Sequence, residues 1–188
     1  MSDERFQLPA ADAMTPEQKR MADAIVAGPR GSLRGPFPVL IHSPAMGDLA
    51  QRLGAYVRFE SVLPPPLREL AILCTARFWT AQYEWYAHRE LGLKAGLDPA
   101  IIDAVAAGKR PARLGREELA IYEFASQLLA TKGVSDAAFA AVKDAFGLQG
   151  VVDLIGTIGY YSLVAMALNV NRSAIPPDAV PLAPLGDH

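Results

Sequence analysis

The sequence of 188 residues contains a single cysteine, Cys74. One cysteine excludes an intrachain disulfide, a Cys-x-x-Cys redox pair and a zinc site built from several cysteines. Basic side chains are also scarce, because 18 Lys and Arg stand against 20 Asp and Glu. No excess of positive charge is present to neutralise a phosphate backbone, so nucleic acid is not an expected partner.

Long apolar runs are missing as well. The longest uncharged apolar stretch, residues 154–168, is shorter than the ~18–20 residues that a membrane-spanning helix needs, and no membrane partner is expected. The first residues, Met1 to Arg5, lack the basic start and apolar run of a secretory signal. These features predict a cytoplasmic protein.

Strand patterns are absent too, since the best candidate, Phe37 to Ile41, is short and contains Pro38. Helix boundary signals are frequent instead, as in Thr15-Pro16-Glu17-Gln18, and hydrophobic residues make up 51% of the chain. We therefore predict an all-α, single-domain helical bundle of about eight helices over residues 1–188. The predicted helices span about 16–27, 44–58, 65–79, 81–95, 99–107, 116–132, 135–147 and 149–169.

The C-terminal residues 175–188 hold four prolines. A helix does not tolerate such a density of proline in its interior. This segment is therefore predicted to be an extended arm that crosses the body of the protein or reaches a neighbouring subunit.

The helix that begins near Ala81 carries the first candidate site. At 100° per residue, Ala81, Glu84, His88, Leu91 and Ala95 share one mostly apolar face, which predicts that this face is buried. Glu84 and His88 lie four residues apart, so the carboxylate can hold the imidazole in one tautomer and the pair can move a proton to or from a substrate. The alternative is a structural pair, perhaps at a subunit contact.

Glu69 lies on the preceding helix, which is apolar on nearly every side and is predicted to be buried. From there its carboxylate can point at Glu84 and His88 as a third acid/base group. The alternative is a first-turn glutamate that complements the helix dipole.

Substrate-binding candidates flank these residues. Tyr83 and Trp85 lie on either side of the polar stripe and can wall a small pocket, although aromatic residues at helical spacing also serve in cores and interfaces. Arg34, in the glycine- and proline-rich loop 28–36, can meet a substrate carboxylate, or it can be solvated. The loop lacks the strand and helix of a phosphate-binding loop, so that function is not predicted.

Two further kinds of chemistry find little support. Cys74 sits between Leu73 and Thr75 within an apolar helix and is predicted to pack as a small hydrophobe. Glu84 and His88 supply only two ligands, so no metal site is predicted.

Three segments together resemble a known family. Arg68-Glu69-Leu70-Ala71-Ile72, Tyr83-Glu84-Trp85-Tyr86-Ala87-His88 and Gly96-Leu97-Asp98 are similar to the carboxymuconolactone decarboxylase family, which also contains the alkylhydroperoxidase D-type proteins. The resemblance is strongest over residues 60–110. It implies an all-α fold built on a helical hairpin and assembled as a homo-oligomer, a trimer or a hexamer.

The resemblance also separates two branches. The peroxidase branch carries Cys-x-x-Cys-x-x-x-His, and its two cysteines fall here on Ala81 and Glu84, so the family label of peroxiredoxin activity is not expected to hold. The decarboxylase branch carries Glu-x-x-x-His, which Glu84 and His88 match. The implied function is proton-transfer chemistry on a small organic acid or lactone, without cofactor or metal. In it His88 is the general acid/base, Glu84 orients it and Glu69 relays a proton or polarises the substrate.

Two alternatives remain from the sequence. One is a peroxidase of the alkylhydroperoxidase D type that depends on Cys74. The other is a non-catalytic oligomer that binds a small ligand.

Overall fold

Residues 3–184, which the computed structural model describes, form eight α-helices and no β-strand. The predicted all-α architecture is confirmed. In chain order the helices are α1 (Pro16–Ala27), α2 (Phe37–Leu40), α3 (Pro44–Phe59), α4 (Pro65–Phe78), α5 (Gln82–Ala95), α6 (Pro99–Ala106), α7 (Arg116–Thr131) and α8 (Asp136–Asn171).

Most helix starts follow the capping signals in the sequence. Thr15 accepts a hydrogen bond from the Gln18 backbone N–H at 3.3 Å, and the Gln18 side chain accepts one from the Thr15 N–H at 2.9 Å. Asp98 and Ser135 cap α6 and α8 through their side-chain oxygens. Ser43 precedes α3 but makes no such bond. Local side-chain chemistry therefore fixes several boundaries before any tertiary contact forms.

Two boundaries differ from expectation, and a third agrees with it. The strand candidate at 37–41 is the short helix α2, which starts directly after Pro36. Lys132, and not Gly133, takes the left-handed conformation that ends α7. Gly147 was predicted to end one helix and does interrupt α8, with φ 69° and ψ −178°, although helical hydrogen bonding resumes at once. At Gly147 the positive φ is one that a side chain would disfavour.

Helix α4 lies at the centre of the fold, where it packs against α5, α7 and α8. Leu70, Ala71, Ile72 and Leu73 have no exposed surface, so the predicted burial of this helix is confirmed. Most of α4 joins a core shared with α6, α7 and part of α8, while Ile72 joins a second core with α1, α2 and α3. Three polar residues of α4, Glu69, Thr75 and Arg77, are therefore buried in the interior.

Helix α8 is long and apolar enough to span a bilayer on length and composition alone. More than half (56%) of its most apolar 18-residue window is buried inside the protein, as in the core helix of a globular fold. Its burial against α3, α4 and α7 accounts for that composition.

Both ends of the described chain are tied to the helical body. Near the N-terminus, the Phe6 N–H donates to the Asn171 side chain at 2.7 Å. Near the C-terminus, Gln82 exchanges two hydrogen bonds with the backbone of Leu182, at 2.8 and 3.0 Å, and Leu182 is buried. Leu182 and Ala183 of the predicted arm thus lie beside the α4–α5 turn, while its residues 185–188 fall outside the described part of the chain.

A buried carboxylate links α3 to α8. Asp153 accepts hydrogen bonds from the Tyr56 hydroxyl at 3.0 Å and from the Val62 backbone N–H at 2.9 Å. Asp153 is buried on α8, whereas its donors belong to α3 and the loop after it. Removing the Asp153 carboxylate would leave the Tyr56 hydroxyl and the Val62 N–H without their acceptor where α3 meets α8.

We expect Asp153→Ala to lower the free energy of unfolding by about 1–3 kcal/mol, because two hydrogen bonds to a buried acceptor are lost. Chemical denaturation followed by circular dichroism measures this loss. Asp144→Ala, at an exposed position of the same helix, is the control and should change stability by less than ~0.5 kcal/mol. Equal losses for the two variants would contradict this account of the junction.

Candidate active site

A cavity of about 660 Å³ opens between the α1–α2 segment, α5 and α8. The segment 30–37 forms one wall, α5 contributes Glu84 and His88, and α8 contributes Tyr160 and Tyr161. The 28–36 loop is rich in glycine and proline, which have small side chains or none. Helix α5 is held in place by its packing on α4. The volume is in the range of small-molecule sites.

His88 pairs with Glu69 and not with Glu84. The Nδ1 of His88 lies 2.6 Å from Glu69 Oε2, and both side chains are buried. With a carboxylate at this distance, Nδ1 carries a proton and donates it to Glu69, which leaves Nε2 as the ring nitrogen available to a ligand. No described residue binds Nε2, and His88 lines the cavity.

Tyr161 holds the imidazole from a second direction. Its ring meets the His88 ring edge to face, with centroids 4.8 Å apart and planes at 83°. Tyr160 packs against Tyr161 in the same way at 5.2 Å. Burial raises the pKa of the Tyr161 phenol well above its ordinary value, so its hydroxyl stays protonated.

Glu84 is buried beside the cavity without a partner. It is 2% exposed, lines the cavity, and neither carboxyl oxygen accepts a hydrogen bond from the described residues. Loss of hydration raises the pKa of Glu84 well above its ordinary value, so burial favours the neutral form of this carboxyl group. The expectation that Glu84 orients His88 is therefore wrong.

The reason for this correction lies in helix geometry. Spacing of i and i+4 permits contact but does not require it, and a facing helix can offer a better-placed group. Glu69 lies in the interior of α4 and not in its first turn, so the helix-dipole alternative for Glu69 does not apply. The packing of α4 on α5 decided which carboxylate meets the imidazole.

The predicted substrate-binding residues separate into two groups. Tyr83 and Arg34 line the cavity, with Arg34 exposed on the 28–36 loop. Trp85 is 4% exposed and belongs to the core shared by α4, α6 and α7, so the prediction that it walls the pocket is wrong. An aromatic side chain at this position is expected to be buried. The rotation of α5 about its axis decided that Trp85 faces the core and not the cavity.

Three residues that line the cavity, Arg30, Tyr160 and Tyr161, were not predicted from the sequence. Tyr160 and Tyr161 were noticeable only as neighbours of two glycines, and Arg30 occurs in the same loop as Arg34. Arg30 donates from Nη2 to the Tyr160 hydroxyl at 3.1 Å. The loop sequence shows two arginines, Arg30 and Arg34, but does not indicate which of them contacts Tyr160.

Cys74 lies away from this cavity. It borders a separate space of about 150 Å³ with Tyr122 and Arg77, and it is not among the residues that line the His88 cavity. Burial raises the pKa of its thiol to about 12, so almost no thiolate is present at neutral pH. Packing as a hydrophobe agrees with this burial.

No group of three or more His, Cys, Asp or Glu side chains that could hold a metal ion occurs within residues 3–184.

Comparison with solved structures identifies the architecture. The chain superposes on the crystal structure of an alkylhydroperoxidase AhpD core, an uncharacterized peroxidase-related protein from Ralstonia eutropha JMP134, with a TM-score of 0.75 over 95% of both chains. This chain has the AhpD-core fold. Sequence identity is 17%, so the similarity is one of fold. No family model matches the chain, and no curated protein matches it.

The AhpD-core fold agrees with the architecture that the sequence resemblance implied. The assignment to a branch with Glu-x-x-x-His is untested by this similarity and stays a prediction. In this AhpD-core chain the positions equated with the two peroxidase cysteines hold Ala81 and Glu84.

We expect Glu84→Gln to raise thermal stability relative to the wild type by an amount that grows as the pH rises above 5. The unfolded chain releases the Glu84 proton above the ordinary pKa of 4.5, whereas the folded chain retains it, so wild-type stability falls as pH rises toward the folded-state pKa. Each pH unit within that window is worth ~1.4 kcal/mol. Glutamine does not titrate, so this part of the pH dependence disappears.

Melting temperatures of both proteins across this pH range measure the effect. Glu60→Gln, at an exposed position, is the control and should keep the wild-type pH dependence. Parallel curves for wild type and Glu84→Gln would show that the Glu84 carboxyl ionises normally in the folded protein.

Proposed function

We propose that this protein is a cytoplasmic enzyme of the carboxymuconolactone decarboxylase type. It carries out acid/base proton transfer on a small organic acid or lactone, with His88 as the general acid/base. The 2.6 Å contact between His88 Nδ1 and Glu69, beside a cavity that His88 lines, is the observation that carries the proposal. A buried, oriented imidazole with one free nitrogen is the arrangement that proton transfer needs.

The reaction fits a single proton donor. When a β,γ-unsaturated carboxylate loses CO₂, the electron pair of the breaking carbon–carbon bond forms a new double bond, and the γ carbon takes a proton. The Nε2–H of the His88 imidazolium supplies that proton, and water restores it afterwards. Glu69 is a positioning residue that keeps Nδ1 protonated and stabilises the cationic ring.

Glu84 has a different task from the one that the sequence predicted. As a neutral acid at the cavity wall, it donates a hydrogen bond to a carbonyl or lactone oxygen of the substrate. A donor placed where negative charge develops lowers the barrier, because no water must reorganise around it.

Two alternatives are disfavoured by specific residues. A thiol peroxidase needs an accessible thiolate, whereas Cys74 is buried, protonated and outside the His88 cavity. A purely structural or ligand-binding protein gains little from a buried, partnerless carboxyl group such as Glu84, which costs stability.

We expect His88→Asn to lower kcat/KM by roughly 10²–10⁴-fold, since the proton donor is lost. We expect Glu69→Gln to lower kcat and to shift the pH profile, because a glutamine amide can donate to Nδ1 and favour the wrong tautomer. The assay follows CO₂ release and loss of ultraviolet absorbance with carboxymuconolactone and simple β,γ-unsaturated acids.

His42→Asn serves as the matched control, because His42 is exposed and bonds only to the Gln7 carbonyl among the described residues. Undiminished turnover in His88→Asn would overturn the proposal. So would peroxide consumption that is lost in Cys74→Ser while none of the acids reacts.

We further propose that the protein is a homo-oligomer, a trimer or a hexamer, with α8 at the contact. A stripe of residues runs along α8 at alternating spacings of four and three residues: Leu148, Val152, Ile155, Gly159, Ser162 and Met166. Its four large apolar members, Leu148, Val152, Ile155 and Met166, are exposed. None of these positions is charged, and Val152 is 65% exposed. Such spacing fits the packing of a second helix, and the stripe in one copy fits the stripe in another.

We expect the wild type to sediment as a multiple of its 20.2 kDa chain and Ile155→Arg to shift toward the monomer, because the guanidinium cannot be buried in an apolar contact. Analytical ultracentrifugation measures both. Val26→Arg, at an exposed apolar position of α1, is the control. A wild-type monomer, or a monomer that binds lipid vesicles through this stripe, would contradict the proposal.

A further inference from the structure

We propose that Arg30 binds a carboxylate of the substrate and thereby restricts the enzyme to small organic anions over neutral lactones. This inference rests on the proposed function of the same cavity. It also replaces Arg34, the arginine that the sequence favoured, with a second arginine of the same loop.

Arg30 is held firmly and still has unused donors. Its guanidinium lies 5.3 Å from the centre of the Phe37 ring and 6.0 Å from that of the Tyr160 ring, and Nη2 donates to the Tyr160 hydroxyl. Its Nε is buried with no acceptor, and no carboxylate of residues 3–184 forms an ion pair with Arg30. A buried N–H without an acceptor is costly, and a ligand oxygen would satisfy it.

The protein makes room for this arrangement on α3. A Cβ at position 54 would collide with both Nη2 of Arg30 and the Tyr160 hydroxyl, so only glycine permits them to lie there. The guanidinium is therefore placed by three elements, the 28–36 loop, α3 and α8. Placement of this kind reduces the entropy that a binding side chain loses when a ligand arrives.

Aromatic contacts connect Arg30 to the reacting imidazole. Arg30 bonds to Tyr160, the Tyr160 ring packs on Tyr161, and the Tyr161 ring packs on His88. All four residues line the same cavity. A short molecule with a carboxylate at Arg30 therefore has its remaining carbons along the two tyrosines that lead to His88.

The charge of the cavity favours an anion. Four cationic side chains line it: Arg30, Arg34, Arg58 and Lys94. Of its two acidic residues, Glu84 has its pKa raised by burial, which favours the uncharged form, and Glu90 is already paired with Arg89 at 3.0 Å. The chain as a whole carries a net charge of −2, so this positive cavity is a local feature that draws small anions.

Arg30 differs from the other three cations in its surroundings. Arg34 and Lys94 are exposed, and Arg58 contacts the ring of its exposed neighbour Phe59. Only Arg30 combines aromatic packing, a hydroxyl partner and a buried free N–H. A guanidinium fixed in this way can bind a carboxylate through two parallel hydrogen bonds, which an ammonium group cannot match.

The test compares carboxylates with neutral isosteres, with binding measured by calorimetry and by NMR. The probes are acetate, benzoate and succinate, each against its amide. In the wild type we expect the carboxylates to bind at least tenfold more tightly than the amides. Arg30→Gln should abolish this preference, and Arg30→Lys should restore it only partly, because the charge returns without the planar fork.

Two further variants complete the design. Tyr160→Phe, which frees the guanidinium, should weaken carboxylate binding severalfold while the charge is unchanged. Arg52→Gln removes one positive charge from an exposed position of α3 outside the cavity and should leave binding within twofold of the wild type. A larger loss in Arg34→Gln than in Arg30→Gln would assign the site to Arg34 and overturn the proposal.

The proposal also fails if none of the three carboxylates binds the folded wild type, or if the amides bind equally well. His88→Asn separates this inference from the proposed function, because carboxylate binding should persist there while turnover is lost. Binding that depends on Arg30 without any turnover would refute the proposed function alone. Turnover of neutral lactones that is unaffected in Arg30→Gln would refute this inference alone.

Discussion

Burial of titratable groups on the seam between α4 and α5 governs the chemistry of this protein. Helix α4 is enclosed by other helices, so Glu69 has no access to bulk water and must find its partner inside. It finds the Nδ1 of His88 at 2.6 Å. An interior contact between a carboxylate and an imidazole fixes ring orientation and tautomer together, and thereby decides which nitrogen faces the cavity.

The same burial has the opposite consequence for Glu84. Within residues 3–184 neither Glu84 oxygen accepts a hydrogen bond, and burial raises the pKa of Glu84, whereas Glu69 on the facing helix is paired with His88. Two glutamates in one interior thus differ in their surroundings, because one has a hydrogen-bond partner and the other does not. The contrast resembles sites in which two carboxyl groups serve as different kinds of acid/base group, and it is consistent with the roles proposed for them.

An AhpD-core fold does not by itself specify redox chemistry. The fold supplies a helical hairpin and a cavity, whereas peroxide reduction needs a reactive thiolate in that cavity. Here the single thiol lies beside a different space and keeps its proton. The cavity instead presents an imidazole, a neutral carboxyl group and several cations, which are suited to proton transfer on anions.

The helical architecture and most helix boundaries followed from the sequence, since capping residues, prolines and glycines act through contacts a few residues apart. The importance of Glu69, Glu84 and His88 also followed, because polar residues on apolar helices are conspicuous. The sequence did not predict that His88 pairs with Glu69 or that Trp85 is buried in the core. It also did not favour Arg30 over Arg34. Each of these depends on how far a helix is rotated and which element faces it, and that is decided by packing between residues distant in sequence.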